Sequence, residues 1–252
     1  MISKNELKYF SNLLKKKFRL EEQKFIAEGE KIVEEGLRSS FTCEKIFVTN
    51  VFLENKGEFL DDLITNKNIL EIIKNQDFKK ISDTVSFQGI AAVFQIPQKE
   101  NSLEKINSNL IICLDRISDP GNVGTIIRNC DWFGIKNIML TKGCAEIYNP
   151  KTVRASMGSI FHLKILNEIE MNLLSNFKNK NYKILTADIK GENIFNFNLP
   201  GKSVIVFSNE SSGSSAELLE ISDHIITIPK YGNAESMNVA SASAVILSRL
   251  RN

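Results

Sequence analysis

The chain has 252 residues, of which 42% are hydrophobic, and its formal net charge is +2 at pH 7. This length suits one large or two modest domains, and the hydrophobic fraction is enough for sizeable cores. No stretch resembles a signal peptide or a run of about 18 apolar residues, so we expect a soluble, cytoplasmic protein without a membrane partner.

Neither the cysteines nor the histidines form a pattern typical of a metal site. The four cysteines are widely spaced and include no CxxC pair, which favours reduced, partly buried thiols over disulfides or metal ligands. The two histidines, His162 and His224, stand outside any ligand cluster. We therefore predict that the protein holds no metal.

The first predicted element is a basic helix. Ser3, followed three residues later by Glu6, is a capping-box pattern that predicts a helix extending to about Phe18. Residues 1–24 contain seven basic and three acidic side chains, an excess of four positive charges. Such a segment can contact a phosphate backbone, or it can be a solvated helix face, and the residues alone favour neither interpretation.

Short elements continue up to a polar stretch near residue 100. The predicted elements are a helix at Gly29–Leu37, strands or short helices at Lys45–Thr49 and Ile69–Ile73, and a β-rich stretch at Val85–Ile96 that Gly89 interrupts. The polar stretch predicts a linker. We therefore expect one domain at residues 1–97, a linker at 98–109 and a second domain at 110–252.

In the second domain, strand and helix signals alternate, which indicates a parallel α/β sheet. The predicted elements are Leu110–Leu114, a helix carrying Arg128, Asn137–Leu140, a helix near Asn149–Phe161, Tyr182–Ala187, Ser203–Phe207, Ala216–Glu220, Ile225–Ile228 and a closing helix from about Ser236. The sequence has no GxGxxG motif and no Walker lysine loop, so it supports neither a Rossmann dinucleotide site nor a P-loop.

Arg128 is the most informative charged residue of this domain. The apolar side chains of its helix fall within one arc of about 120°, and Arg128 lies on the opposite side. An exposed arginine is usually just solvated. However, this one lies one turn above an Asn/Gly loop at the carboxyl end of a strand, where open α/β sheets bind their ligands.

The last quarter of the chain also predicts a ligand loop. The β-like run Ile225–Ile228 stops at Pro229, which cannot continue a hydrogen-bonded ladder. A loop containing Gly232 then leads into the closing helix. Because a glycine loop before a helix N-terminus presents free N–H groups, it suits a ligand with a carboxylate.

Together these segments resemble the SpoU (TrmH-like) branch of the SPOUT methyltransferases. Four blocks carry the resemblance, in order and at the family's spacing: Asp119–Arg128, Asn149–Phe161, Ser208–Gly213 and Ile228–Val239. Two further blocks, Phe25–Glu30 and Ser86–Ile90, resemble the small L30e-like RNA-binding domain that precedes the catalytic domain in many SpoU enzymes.

The resemblance implies a fold and an activity. The fold is α/β, with a parallel sheet, helices on both faces and a carboxyl-terminal trefoil knot, preceded by a small α/β L30e-like domain. The activity is transfer of a methyl group from S-adenosylmethionine to a ribose 2′-hydroxyl of RNA, with ribosomal RNA as the expected substrate and a homodimer as the expected assembly. A transfer RNA substrate remains an alternative, as does an α/β enzyme acting on a small molecule.

The resemblance also implies a site. The catalytic positions are Arg128, Asn122, Glu210, Ser236 and Asn238. The cofactor-binding positions are Ser208, Asn209, Gly213, Ile228, Met237 and Asn238. The expected RNA contacts combine the basic amino-terminal residues with one position of the second block, namely Lys15, Lys16, Lys17, Arg19 and Arg154. Arginine is effectively always protonated, so we expect Arg128 to bind a phosphate and stabilise alkoxide charge rather than to act as the general base.

The chain departs from the family pattern in one loop. Where the family usually has Gly-Asn-Glu-Gly, this sequence reads Ser208-Asn209-Glu210-Ser211. If either glycine normally takes a positive φ, serine there would cost on the order of 1 kcal/mol and reshape the cofactor pocket. This departure leaves a further alternative open, a catalytically weak or inactive homologue that only binds RNA.

Overall fold

The computed structural model describes residues 2–63, 69–98, 108–209 and 213–251. The chain divides into two compact units. The first unit consists of residues 1–98 and 146–161, and the second unit consists of residues 99–145 and 162–252. Most of the predicted linker at 98–109 lies outside the described residues.

The first unit is built on a four-stranded mixed sheet in the order β1-β4-β2-β3. Its strands are β1 Lys24–Glu28, β2 Cys43–Val48, β3 Leu70–Ile72 and β4 Ile90–Gln95. Its helices are α1 Lys4–Asn12, α2 Lys16–Glu22, α3 Glu30–Arg38, α4 Asn50–Leu63, α5 Asn75–Ile81 and α7 Pro150–Ser156. Strand β4 runs antiparallel to both β1 and β2.

The predicted helix from Ser3 to Phe18 is two helices. Both capping-box hydrogen bonds of Ser3 and Glu6 form at the start of α1, as the sequence predicts. After Asn12 the helix ends, and the carbonyl of the buried Leu13 accepts a hydrogen bond from the Arg19 guanidinium at 2.8 Å. In a continuous helix that carbonyl would pair with the amide four residues later. A hydrogen bond from the Arg19 side chain therefore takes the place of one helical bond.

The segment 146–161, which contains α7, folds as part of the first unit although the predicted boundary assigns it to the second domain. Its aromatic residues join the core there. The ring of Phe25 packs on Tyr148 at a centroid distance of 4.6 Å and on Phe161 at 6.0 Å. This segment therefore packs with the first unit, although residues of the second unit precede and follow it in the chain.

An ion pair between Arg19 of α2 and Glu146 links α2 to the segment 146–161. Its side chain is 1% exposed, and Nε donates to a carboxylate oxygen of Glu146 at 2.9 Å while Nη2 binds the other oxygen. A guanidinium so enclosed is not available to RNA phosphates, so the structure contradicts the prediction of Arg19 as an RNA contact. The basic composition of the segment could not reveal a partner 127 positions away.

The second unit contains a six-stranded sheet in the order β10-β8-β9-β5-β6-β7. Its strands are β5 Leu110–Asp115, β6 Asn137–Thr141, β7 Lys164–Ile169, β8 Lys183–Asn193, β9 Ser203–Ser208 and β10 His224–Thr227. All neighbouring strands pair in parallel. Every residue of β5 and β9 is buried, as is usual for parallel strands covered on both faces.

Helices flank this sheet. They are α6 Pro120–Trp132, α8 Ser175–Lys178, α9 Ala216–Ile221 and α10 Val239–Arg251. Phe177 of α8 and Leu218 of α9 join a core cluster with side chains of β5, β8 and β9, while α10 packs against α6 and β9. The predicted parallel α/β sheet with flanking helices is confirmed, and the trefoil knot stays a prediction.

The sequence did not predict β7, and it ended β8 too early. Strand β8 extends past Ala187, because its second half pairs with β10 after a shift in register. Gly191 permits this approach, since a Cβ there would lie 2.6 Å from the carbonyl oxygen of Ile225. The extension carries polar, exposed residues, so it shows no hydrophobic strand pattern. Among the described residues, no helix is long and apolar enough to cross a membrane.

The Arg19–Glu146 pair generates a stability prediction. Arg19→Ala should lower the free energy of unfolding by about 3–5 kcal/mol, because it leaves Glu146 as an uncompensated buried charge. Chemical denaturation measures this loss. The control is Lys17→Ala, on the same helix with a side chain 79% exposed, which should change stability by less than about 0.5 kcal/mol.

A second variant separates charge from packing. The double change Arg19→Met with Glu146→Leu should recover most of the lost stability, because apolar replacement of a whole buried ion pair is often neutral. Equal stability losses in Arg19→Ala and Lys17→Ala would contradict the structural role of Arg19.

Candidate ligand site at the carboxyl edge of the parallel sheet

In open parallel α/β sheets, ligands bind at the edge beyond the carboxyl ends of the strands. Strands β5 and β9 end side by side, with Asp115 paired in register with Ser208. The loops after these strands and the loop after β10 carry most of the predicted site residues. The site is therefore described from this edge outward.

A buried carboxylate lies at the end of β5. Asp115 is 1% exposed, and its Oδ1 accepts a hydrogen bond from the Thr141 hydroxyl at 2.9 Å. Its Oδ2 accepts from Arg116 Nε at 3.0 Å and Nη2 at 2.9 Å. This contact with Asp115 raises the pKa of the Arg116 guanidinium. Asp115 and Arg116 therefore form an ion pair whose hydrogen bonds hold both side chains in place.

The loop after β9 is tied to the same two residues. The Asn209 amide donates to the Asp115 carbonyl at 3.1 Å, and Asn209 Nδ2 donates to the Arg116 carbonyl at 3.0 Å. Farther along, the Gly213 amide donates to the Asn209 carbonyl at 2.9 Å. Glu210 and Ser211 lie between these positions and outside the described residues.

Ser208 does not carry the backbone strain that its substitution for glycine suggested. It is the last residue of β9, and its φ is not among the positive values found in the described chain. Its hydroxyl is instead distinctive in another way. The Oγ atoms of Ser208 and Ser214 are buried, and neither has a hydrogen-bond partner in the described part of the protein. Buried hydroxyls without partners are costly, and a bound ligand can satisfy them.

A hydrogen bond joins two predicted catalytic positions, Asn122 of the first block and Asn238 of the last block. Asn238 Nδ2 donates to Asn122 Oδ1 at 3.0 Å. Asn238 Oδ1 also accepts from the amides of Ala240 at 3.1 Å and Ser241 at 3.2 Å, so Asn238 caps α10. Asp119 caps α6 by accepting from the Asn122 amide at 2.9 Å. The structural and the site role of these asparagines are compatible.

Adjacent residues of α6 have opposite environments. Asn129 Nδ2 donates to the Ala240 carbonyl at 3.0 Å and the Ser243 hydroxyl at 2.9 Å, which joins α6 to α10. Arg128 is exposed, as its position opposite the apolar stripe predicts, and within the described residues its guanidinium has no partner. Its side chain is therefore presented to solvent.

The loop after β10 is open. All residues from Lys230 to Asn238 are exposed, including Ser236 and the 48% exposed Met237, while Ile228 is half-buried. The structure therefore brings Asn122 and Asn238 together and holds Asn209 and Gly213 beside Arg116. It does not enclose Met237 or Ser236.

The remaining predicted RNA contacts lie in the first unit. Lys15, Lys16 and Lys17 are exposed at the start of α2. Arg154 on α7 donates from Nη2 to Asp83 at 3.0 Å, and its buried Nη1 has no partner within the described chain. Three lysines thus present positive charge to solvent, whereas Arg154 is partly committed to an ion pair.

The cysteines are free thiols. Burial raises the pKa of Cys144 to about 11 and that of Cys43 to about 12. Both groups are therefore neutral and unreactive at physiological pH. Among the described residues, no group of three or more His, Cys, Asp or Glu side chains is placed to hold a metal ion.

A model of the SpoU rRNA methylase family matches residues 109–248, more than half of the chain. The protein belongs to the SpoU rRNA methylase family. A model of an MRM3-like substrate-binding domain matches residues 4–92, which precede the SpoU region.

Individual relatives agree with the SpoU assignment. The chain is 31% identical to the 23S rRNA (guanosine(2553)-2′-O)-methyltransferase RlmP of Bacillus subtilis, over 81% of each protein. A Porphyromonas gingivalis structure assigned to the TrmH family of RNA methyltransferases superposes with a TM-score of 0.84 at 32% identity, covering 99% of this chain and 98% of that one.

A third relative shares the fold at lower identity. The SpoU methyltransferase AviRb of Streptomyces viridochromogenes, solved with its cofactor AdoMet, superposes with a TM-score of 0.85 at 21% identity. The match covers 98% of this chain and 97% of that one. It shows that the two chains share a fold.

Sequence reasoning missed three residues whose contacts hold this candidate site together, namely Asp115, Arg116 and Asn129. One signal was available for Asp115, because a carboxylate that ends an otherwise apolar strand must find a partner. Asn129 gave no local signal. Its partners lie on α10, more than 100 positions along the chain.

Proposed function

We propose that the protein is an S-adenosylmethionine-dependent RNA methyltransferase that methylates a ribose 2′-hydroxyl of ribosomal RNA. The observation that carries the proposal is the Asn122–Asn238 hydrogen bond. It joins Asn238, which precedes α10, to Asn122 of α6, the helix that also presents the exposed Arg128. Membership of the SpoU rRNA methylase family supplies the reaction class.

The residues at the end of β9 fit a bound donor. The buried, unpartnered hydroxyl of Ser208 offers a hydrogen bond to a polar ligand, and the extended backbone of Ser208 avoids the strain expected from a positive φ. Bound S-adenosylmethionine would supply a methyl group activated on a sulfonium. We assign its binding to Ser208, Asn209, Gly213, Ile228, Met237 and Asn238.

Arg128 acts on the acceptor. Its planar guanidinium can bind a phosphate of the RNA through two parallel hydrogen bonds, which orients the adjoining ribose. The same positive charge stabilises the negative charge that develops on the 2′-oxygen as its proton leaves. Asn122, Ser236 and Asn238 are proposed to position the ribose, and Glu210 belongs to the same proposed set.

Ribosomal RNA is favoured over transfer RNA by the relatives. The Bacillus subtilis relative is named for 23S rRNA, and the matched amino-terminal model is that of a substrate-binding domain. We propose that the first unit holds RNA through Lys15, Lys16 and Lys17, with Arg154 as a further contact, and that the protein works in the cytoplasm. An inactive RNA-binding homologue is disfavoured, because Ser208 is compatible with a donor pocket.

The first test targets Arg128. Arg128→Ala should reduce methyl transfer to ribosomal RNA about 100-fold or more, the loss typical of one preorganised charge donor. Its stability should change by less than about 0.5 kcal/mol because the side chain is exposed. Transfer of labelled methyl from S-adenosylmethionine measures the rate, and calorimetry should show unchanged donor affinity.

Two further proteins sharpen this test. Arg128→Lys keeps the charge but loses the planar fork, so it should rescue activity poorly. Arg38→Ala, an arginine of the first unit with a 63% exposed side chain, should retain normal activity. Near-normal turnover in Arg128→Ala would make Arg128 a bystander. Failure of the unaltered protein to bind S-adenosylmethionine at millimolar concentration would favour the RNA-binding-only alternative.

The lysines of α2 give a salt-dependence prediction. Replacing Lys15, Lys16 and Lys17 together by alanine should lower the slope of log affinity against log salt by about 2, because each phosphate contact on a single strand contributes about 0.7. Donor affinity should not change. Filter binding to ribosomal RNA fragments at several salt concentrations measures the slope.

The matched control replaces three exposed lysines of the second unit, Lys180, Lys190 and Lys202. We expect a smaller change in slope from that set. Equal slopes for the α2 variant and the unaltered protein would mean that Lys15, Lys16 and Lys17 form only a solvated face.

We also propose that the protein is a homodimer, in which both copies contribute to each RNA site. Ala242 and Ala244 of α10 are small enough to permit close helix packing, whereas Ala240 is buried within the chain's own fold, and the single tryptophan, Trp132, is 83% exposed at the end of α6. Light scattering should therefore give twice the mass of one chain. A monomer with full methyltransferase activity at the same concentration would overturn this proposal.

A further inference from the structure

Arg116 holds both described ends of the loop that separates β9 from α9. Its carbonyl accepts from Asn209 Nδ2 at 3.0 Å, and its Nη2 donates to the Gly213 carbonyl at 3.2 Å. Asn209 and Gly213 flank the positions that match the centre of the third SpoU block. One residue outside the loop therefore fixes where the loop leaves β9 and where it returns.

The Arg116 side chain is itself anchored. Nε and Nη2 both donate to Oδ2 of Asp115, which is 1% exposed. Hydrogen bonds that involve a buried charge are roughly twice as strong as neutral ones. Because Nη2 serves both Asp115 and Gly213, the carboxylate determines where the Gly213 carbonyl can lie.

The Arg116 backbone is fixed as firmly. Its φ is 55°, a left-handed conformation that is uncommon for a residue with a Cβ. The amide donates to the Thr141 hydroxyl at 3.1 Å, and the side-chain stem lies beside Gly143. Such conformations persist where the surroundings over-determine them, and they cluster at functional sites.

The loop that Arg116 holds also carries the two unsatisfied hydroxyls. Ser208 precedes Asn209, Ser214 follows Gly213, and the Oγ atoms of both serines are buried without partners among the described residues. Two buried hydroxyls at the two ends of one loop indicate a site prepared for a polar ligand. Their separation depends on the same Asn209 and Gly213 contacts.

We propose that Arg116 is a positioning residue for the methyl donor: it holds Asn209 and Gly213 so that the hydroxyls of Ser208 and Ser214 hydrogen-bond to bound S-adenosylmethionine. This inference rests on the proposed function. Arg116 acts through the loop and touches neither the reacting methyl group nor the RNA. Its effect should therefore fall on donor affinity and not on the rate at saturating donor.

The planar fork of arginine is what the role requires. Nε and Nη2 of Arg116 both bind the Asp115 carboxylate, and Nη2 also donates to the Gly213 carbonyl in the loop after β9. Lysine would keep a positive charge beside Asp115 but has one nitrogen on a flexible stem, so it cannot reproduce both contacts in a fixed geometry. Arg116→Lys thus removes the positioning and keeps the charge balance.

The experiment compares the unaltered protein with Arg116→Lys by titration calorimetry and by backbone hydrogen exchange. Without donor, the Gly213 amide, which donates to Asn209, should exchange faster in the variant. The dissociation constant for S-adenosylmethionine should rise about tenfold or more, the factor expected for one lost hydrogen bond to a charged group. The KM for donor should rise by a similar factor, with kcat within about threefold and RNA affinity unchanged.

Arg249→Lys is the matched control. Arg249, on α10, also donates from Nη2 to a backbone carbonyl, that of Phe195 at 3.2 Å, but makes no hydrogen bond to the described residues of the loop after β9. We expect normal donor affinity and normal exchange at Gly213 in this variant. A second variant, Ser208→Ala, should weaken donor binding without accelerating exchange at Gly213.

The outcomes separate the two proposals. Donor affinity within twofold of normal in Arg116→Lys overturns the positioning role and leaves the proposed function intact. If the Gly213 amide nevertheless exchanged faster in that variant, Arg116 would stabilise the loop without affecting donor binding. Equal loss of kcat and of donor affinity would also overturn it, because Arg116 would then affect chemistry. Absence of donor binding by the unaltered protein refutes the proposed function, and the donor role of Arg116 with it.

Discussion

The buried carboxylate of Asp115 is the constraint on which the edge of the parallel sheet depends. A charge removed from water must be paired and hydrogen-bonded, or it destabilises the fold by several kcal/mol. Its partners come from the ends of two neighbouring strands, Thr141 of β6 and the adjoining Arg116. Through Arg116 the same charge reaches Asn209 and Gly213 after β9. Compensation of one buried charge thus organises several loops at the edge where ligands bind.

Parallel pairing then brings distant motifs together. Strands that run in one direction end at one edge, so blocks separated by about half of the chain meet there. The Asn122–Asn238 bond joins residues 116 positions apart, and Asn129 joins the same two helices farther along. These contacts fix α6 against α10. Arg128, on the outer side of α6, remains exposed on a helix that these contacts hold in place.

A second buried charge, that of Arg19, lies in the first unit. It shows that basic residues close together in sequence can have opposite environments. Arg19 and Lys17 lie on the same helix, yet Arg19 is enclosed by Glu146 and Leu13 while Lys17 projects into solvent. Burial of a guanidinium requires a carboxylate partner. That partner belongs to the segment 146–161, so the pair helps to hold this segment in the first unit. The lysines beside Arg19 remain exposed to solvent.

The sequence by itself determined the alternation of strands and helices, the parallel sheet, the capping box at Ser3 and the exposure of Arg128, because each follows from periodicity or spacing within a few turns of chain. Only the tertiary structure decided that Arg19 is internal, that the first helix breaks after Asn12, and that Arg116 holds the loop after β9. The first and the last depend on partners 127 and 97 positions away, and at the helix break the buried Arg19 donates to the Leu13 carbonyl. Local patterns record which side chains are apolar, but the compensation of a buried charge is settled by whichever residue the fold brings within hydrogen-bonding distance.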